Sequence, residues 1–386
     1  MKIEPNFYER LKRLQAQGKS DKGEEPVLKS EQRKQTLKLP DSLAAFGWRQ
    51  LSEYVYTSSY SIVNPYRQLK LTPLFAPAAP SSTPTLCFYD TETTGLSSGA
   101  GTMFFLLGLG WIDEKNLTIE QYFLADFPGE QEFLKLLSFK LSEDFIYVSY
   151  NGSAFDRHIL QTRYIMHGMQ KKFPNQLDLL YLARSLWKSI IGACNLNHIE
   201  EKILNLKRKD DVPSSEIPEL YFHYLRTGDP RHLKKVFSHN RQDILSLIHL
   251  YFKLQHIFSF PEQARNLDTL ALGNLLLGRH HPAAENLLGT AFRSGNSRCG
   301  LLLSMHFKRE GKWTAALALW QELYTRSRNL PAALELAKYW EHKEKNCLRA
   351  LALVEELLVS GLPLDEEILK ALRHRQRRLK QKTAEV

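Results

Sequence analysis

Cysteine is scarce in this chain. Its four cysteines, Cys87, Cys194, Cys299 and Cys347, lie far apart and form no Cys-x-x-Cys pair. That excludes a disulfide framework and a cysteine-based zinc site, and reduced thiols are expected. Long apolar runs are missing too, and none reaches the length of a membrane span, so no membrane partner is expected. Met1-Lys2-Ile3-Glu4-Pro5 has no signal-peptide character, and a cytoplasmic location is the expectation. Acid is in short supply relative to base, with 42 Asp and Glu against 52 Lys and Arg and a formal net charge of +10. This balance suits a polyanionic partner without requiring one. Much of the excess sits at the end of the chain. Lys370, Arg373, Arg375, Arg377, Arg378, Lys380 and Lys382 have no acid among them, and read equally as a solvated helix end or a nucleic-acid contact.

At 386 residues the chain exceeds one ordinary domain, and its 43% hydrophobic content can build sizeable cores. Residues 1–40 are rich in Lys, Glu and Gln; a short helix is expected over 7–17, then disorder. Residues 41–83 carry Trp48, Tyr54, Tyr56, Tyr60, Tyr66 and Phe75, too many aromatics for a free tail. Pro65, Pro73, Pro77 and Pro80 deny the second half of that segment much regular structure. It is expected to pack on the following domain as strands or an extended arm, its aromatics serving as core rather than as stacking platforms.

Leu86-Cys87-Phe88-Tyr89 then reads as a central strand buried on both faces, running into Asp90-Thr91-Glu92-Thr93-Thr94-Gly95-Leu96. A strand repeats every two residues, so Asp90 and Glu92 project from one face. Two anions together at the rim of a core are costly unless a cation neutralises them. Oxygen-only ligation suits Mg²⁺ or Mn²⁺. A strand-end Asp capping the next turn is the alternative for an isolated Asp-x-Glu.

Further along, Met103–Ile112 and Leu117–Ala125 read as strands joined by Asp113-Glu114-Lys115-Asn116, then a helix over 128–141 and a strand over 145–150. Gly99-Ala100-Gly101 lies between two strands and opens no helix, which excludes a dinucleotide-binding loop. Asp156 follows Asn151-Gly152-Ser153-Ala154-Phe155, and Asp178 stands before Leu179 as a helix N-cap or a support to the neighbouring acids. The block Leu206-Lys207-Arg208-Lys209-Asp210-Asp211 is either a phosphate holder or a surface loop. A long helix is expected from Arg231 to about Phe252, placing His239 and Asp243, four apart, on one face.

The octapeptide starting at Tyr89 resembles the first motif of the DEDD 3′–5′ exonucleases, which have the ribonuclease-H-like fold. The continuation from Gly99 to Gly108 is similar to the YprB-like bacterial branch of that superfamily, and the resemblance runs from about Thr85 to about Tyr251. Tyr150-Asn151-Gly152 through Asp156 resembles the second acidic motif, and Ser238-His239-Asn240-Arg241-Gln242-Asp243 the third. The resemblance implies an α/β ribonuclease-H-like mixed sheet with Asp90, Glu92, Asp156 and Asp243 as ligands of two Mg²⁺ or Mn²⁺ ions. Asp90 would bridge them and His239 would act as general base. Relatives with Tyr four before the last Asp share this spacing, whereas those with His usually place it five before; this chain has His in the Tyr register. Two ions ~3.5–4 Å apart would clamp the attacking and leaving oxygens of an in-line displacement. The implied function is metal-dependent phosphodiester hydrolysis of DNA or RNA by a 3′–5′ exonuclease. A non-catalytic interaction module and a structure-specific endonuclease are the alternatives.

From about residue 265 the pattern becomes helical and rich in Leu and Ala. Lys312-Trp313-Thr314-Ala315-Ala316-Leu317 matches Asn346-Cys347-Leu348-Arg349-Ala350-Leu351, and the offset from Ala316 to Ala350 is 34. That is the tetratricopeptide period, and Ala284 marks an earlier copy 32 before Ala316. An all-α, tetratricopeptide-like repeat domain able to hold a protein partner is expected, with an irregular helical domain as the alternative. The expected division is an N-terminal segment 1–40, a lead-in 41–83, a nuclease domain 84–258, repeats 265–362 and a basic tail 363–386. Repeats contact mainly their neighbours, so the catalytic core is expected not to need them.

Overall fold

The computed structural model describes residues 41–69, 74, 85–95, 101–153 and 155–384. The helix and disorder expected before residue 41, the packing of Phe75, the prolines at 73, 77 and 80, and the Gly99-Ala100 turn lie outside the described residues.

The first half of the chain is built on a seven-stranded mixed sheet. Its strands are β1 (Arg49–Ser52), β2 (Val55–Val63), β3 (Leu86–Thr93), β4 (Phe104–Ile112), β5 (Asn116–Leu124), β6 (Ile146–Ser149) and β7 (Asn175–Asp178), in the order β1-β2-β5-β4-β3-β6-β7. The β3–β4 and β4–β5 pairs are antiparallel, whereas β6 and β7 add in parallel. β3 is buried almost throughout because it has sheet on both sides and helices on both faces. Asp113 shapes the β4–β5 turn, its Oδ1 accepting the Lys115 and Asn116 amides at 2.7 Å each.

The aromatic-rich lead-in is part of this sheet. β2 pairs with β5 from Val55 opposite Leu124 to Val63 opposite Asn116, so the sheet starts well before residue 84. Trp48 and Tyr56 are buried, Trp48 against Phe237 with ring centroids 4.4 Å apart. Tyr66 stacks on Phe252 at 3.8 Å.

Five helices of this half exceed two turns. They are α1 (Glu130–Lys140), α2 (Asp156–Met166), α3 (Leu179–Ile191), α4 (Ile217–Thr227) and α5 (Leu233–Ser259). α5 runs seven residues past its expected end at Phe252, since Leu254 and Ile257 still face the core and Pro261 follows its C-terminus. It crosses the sheet over two glycines of β4. A Cβ on Gly110 would meet Ile244 Cγ2 at 2.5 Å, and one on Gly108 would strike the Asn240 carboxamide. Only bare backbone there lets the helix approach this closely.

Seven further helices complete the described residues: α6 (Thr269–Leu277), α7 (Ala284–Arg293), α8 (Ser297–Arg309), α9 (Trp313–Ser327), α10 (Leu330–His342), α11 (Cys347–Val359) and α12 (Glu366–Ala384). Four start at an Asp or Asn cap, with Asp268, Asn296, Asn329 and Asn346 each accepting a backbone amide of the first turn. The aligned alanines Ala284, Ala316 and Ala350 are all buried. α12 spans most of the basic tail, and Arg375, Arg378 and Lys382 turn inward onto the buried Glu341. Cys87 and Cys299 are buried, and all four thiols are free. Among the described residues no helix is long and apolar enough to cross a membrane.

The two halves share one core. Leu86, Phe88, Trp187, Ile248 and Tyr251 belong to the same cluster as Leu272, Leu276, Leu288 and Leu303, and the Asp268 amide donates to the Leu186 carbonyl at 2.8 Å. The first helices after α5 therefore pack on the sheet half and cover part of its core. Ending the chain after Phe260 is predicted to lower the unfolding free energy of the remainder by about 3 kcal/mol or more, the scale of uncovering two buried leucines. Urea unfolding of the truncated and full chains checks this. Equal stability of the sheet half would show that it needs no cover.

Candidate active site

The four acids and His239 come from separate stretches of the chain and line one pocket of ≈ 310 Å³. β3 delivers Asp90 and Glu92 to the same side, as strand alternation requires. Asp156 is the first residue of α2, held close by the preceding turn. A Cβ on Gly152 would lie 2.9 Å from Asp156 Oδ2, so a side chain there would crowd the acid. Asp178 caps α3 through the Leu180 amide at 3.0 Å and binds the Asn151 amide at 2.8 Å and the Ser153 hydroxyl at 2.7 Å. It thus fixes the turn that carries Asp156. On α5, His239 and Asp243 share the pocket face that their spacing of four predicts.

Each carboxyl has a distinct set of partners. Asp90 Oδ2 accepts the Asn240 amide at 2.9 Å, and the Asn240 carbonyl oxygen accepts from Gln121 of β5, also at 2.9 Å. Asp156 accepts the Thr91 hydroxyl at 2.5 Å. Asp243 accepts from Arg208. Glu92 Oε1 is buried and, among the described residues, has no hydrogen-bond partner.

Burial dominates the electrostatics of this cluster. It pushes Asp90 well above the usual carboxylate range; the charges of Asp243 and Asp156 add to the shift, while Asn240 and Arg208 oppose it. Glu92 is raised in the same way by burial and by Asp90, Asp243 and Asp156. Asp156 rises to about 6 through burial against the Thr91 hydrogen bond, with the Asp178 charge adding to the rise. A first-turn position at a helix N-terminus favours a carboxylate, but desolvation outweighs it here. Asp243 is raised by burial despite the opposing pull of His239 and Arg208. A divalent cation would oppose these shifts by favouring the ionised carboxylates, since all four donors are hard oxygens and Glu92 presents a buried, unpaired one. As they stand, no three or more His, Cys, Asp or Glu side chains among the described residues are gathered to hold an ion.

His239 is nearly fully buried, and its Nδ1 lies 2.7 Å from Asp211 Oδ1. That distance fits Nδ1–H donating to the carboxylate, which leaves Nε2 as an acceptor, 3.4 Å from the Ser214 hydroxyl and 3.6 Å from Asp243 Oδ2. Burial alone would raise the Asp211 acid, but the His239 hydrogen bond, the charge of that ring when protonated, and Arg208 hold it below its ordinary value. Arg208 is not a surface residue. Its guanidinium is turned inward onto Glu200, Asp211 and Asp243. Sequence reasoning passed over Glu200 and Asn240 as site residues, and read Arg208 and Asp211 only as part of a block that either holds phosphate or forms a surface loop. An acid 28 positions before His239 in a loop has no periodicity to mark it.

A family model described as the RNase_H superfamily matches residues 87–255. The Bacillus subtilis protein YprB is 35% identical over 313 residues, covering 77% of this chain and 75% of that protein. Among solved structures, exonuclease I in its apo form matches at 16% identity and a TM-score of 0.28, over 43% of this chain and 47% of that one. E. coli exonuclease I in complex with a dT13 oligonucleotide matches at 14% identity and 0.27, over 40% and 43%. The chain thus spans under half the length of these exonuclease I chains.

The raised acids have a measurable consequence in metal-free protein. A carboxyl raised on folding contributes stability below its unfolded value and loses it as pH rises through the folded one. For Asp156 this window runs from 3.8 to about 6. At pH 7.5 the cluster is therefore a cost that one neutral residue relieves. Asp90→Asn is expected to raise the metal-free Tm by about 1 °C, the shift that ~1 kcal/mol gives against an unfolding entropy of ~2.1 cal/mol/K per residue in a chain of 386 residues. The gain should shrink toward pH 4. Differential scanning fluorimetry across pH checks this, and an equal or lower Tm for the variant at pH 7.5 would contradict it.

Proposed function

The chain belongs to the YprB-like family of the RNase H superfamily, and from that premise we propose that it is a divalent-metal-dependent nuclease that removes nucleotides from a 3′ end. The observation that carries the reading is the convergence of Asp90, Glu92, Asp156 and Asp243 on one pocket, with a buried Glu92 oxygen lacking a partner among the described residues. These four side chains would hold two Mg²⁺ or Mn²⁺ ions, which when bound supply an activated water and charge neutralisation at the leaving oxygen.

The chain's own residues do the rest. Asp211 fixes the His239 ring by accepting from Nδ1, so the Nε2 lone pair faces the pocket and can take a proton. Asn240 ties Asp90 to β5 through Gln121, which keeps the central acid from swinging away. Tyr150, Phe155, Ile217 and Pro218 present apolar surface in the same pocket, against which a nucleobase can pack. A volume of ≈ 310 Å³ is at the small end for ligand pockets, which favours a single terminal nucleotide over a length of duplex.

Incubation with Mn²⁺ and 5′-labelled single-stranded DNA and RNA tests the proposal. A ladder shortening from the 3′ end is expected from the wild type and none from Asp90→Asn. Loss of metal dependence, or full cleavage by Asp90→Asn, would overturn it; cutting of a circular strand would make the enzyme an endonuclease. His239→Ala is predicted to slow hydrolysis by about 10²-fold or more, the usual scale for a general base. Its Mn²⁺-induced rise in Tm should match that of the wild type, because His239 is not proposed as a ligand. A wild-type rate in single-turnover assays would remove His239 from the chemistry.

A further inference from the structure

One guanidinium connects the residues that the proposed mechanism treats separately. Arg208 Nε and Nη2 donate to the two oxygens of Glu200 at 2.5 and 2.6 Å. Nη1 reaches Asp211 Oδ2 at 3.1 Å, and Nη2 also donates to Asp243. The other oxygen of Asp211 holds His239. One planar fork therefore fixes the holder of the base and the last acid of the site against a single anchor.

The backbone is shaped to deliver that anchor. Glu200 opens the π-helical turn Glu200–Leu204 and is 1% exposed. Asn205 then takes a left-handed conformation, φ 55°, and the Leu206 amide donates back to the Glu200 carbonyl at 2.9 Å. This fold-back places Arg208 over Glu200. A planar donor set is needed for such a three-way contact, and lysine cannot supply it.

We infer that Arg208, anchored by Glu200, is a positioning residue that sets the relative placement of His239 and Asp243, and through Asp243 the affinity of the site for divalent ions. The inference rests on the reading of the four acids as metal ligands. A competing idea is that the guanidinium acts by charge, repelling an incoming cation. The two differ in a variant that removes the anchored pair together. Glu200→Gln/Arg208→Met deletes one negative and one positive charge that touch each other, so a purely electrostatic effect nearly cancels while the positioning is lost.

Titration calorimetry with Mn²⁺ on the full chain is the test, with the metal-free Tm recorded for each variant as a fold control. The paired variant is expected to bind Mn²⁺ about 10–100-fold more weakly, the cost of losing an outer partner of a metal ligand. Arg208→Lys should also weaken binding, because it keeps the charge and loses the fork. Unchanged affinity in a folded paired variant would show that the cluster only builds the fold. Tighter binding would show that the guanidinium competes with the ion for Asp243. Either result overturns the inference. If the paired variant does not fold, Arg208→Lys, which keeps the buried charges balanced, decides between the same outcomes. Absence of Mn²⁺ binding by the wild type would instead overturn the reading of the acids, and the inference with it.

Discussion

Gathering four buried or half-buried carboxyl groups around one pocket is the constraint on which the rest of this structure depends. Like charges in a poorly solvated site raise one another's proton affinity, and Asp90 and Glu92 are the most strongly affected by burial and by their acidic neighbours. A fold that retains such a cluster has to hold each acid in place against repulsion. Asn240 does so for Asp90, Thr91 for Asp156 and Arg208 for Asp243. Each of these donors sits on a rigid element or is itself anchored, as Arg208 is by Glu200.

The seat of α5 on the sheet follows from the same demand. Gly108 and Gly110 leave room for Asn240 and Ile244, and that close approach brings Asn240 within reach of Asp90 and Gln121. His239 and Asp243 are then carried to the pocket on the same helix. The far end of α5 continues into the core shared with α6 and α7, so the helix that carries His239 and Asp243 also joins the two halves of the chain.

Much of this was legible in the residues. Strand alternation placed Asp90 and Glu92 on one side, and a helical spacing of four placed His239 with Asp243. The turn before Asp156 announced itself through Gly152, and Asp178 through its position ahead of an apolar helix. Periodicity has nothing to say about irregular backbone, and there the reading stopped. Arg208 and Asp211 enter the site because a π-turn and a left-handed Asn205 fold a loop inward, a tertiary outcome with no local signature. The lead-in was legible as strands or an extended arm packed on the domain, but not its place within the sheet, because β2 pairs with β5, far away in sequence, and β1 adds to β2. Basic residues near the end seemed free because Glu341, which gathers three of them, lies 34 to 41 positions earlier.

The central claim is that the four acids form a divalent-metal centre. Crystals grown with Mn²⁺ and examined at the manganese absorption edge test it most directly. The account predicts two anomalous peaks among Asp90, Glu92, Asp156 and Asp243, with Arg208 still paired to Glu200. Peaks elsewhere on the molecule, or none in this pocket at saturating Mn²⁺, would contradict it.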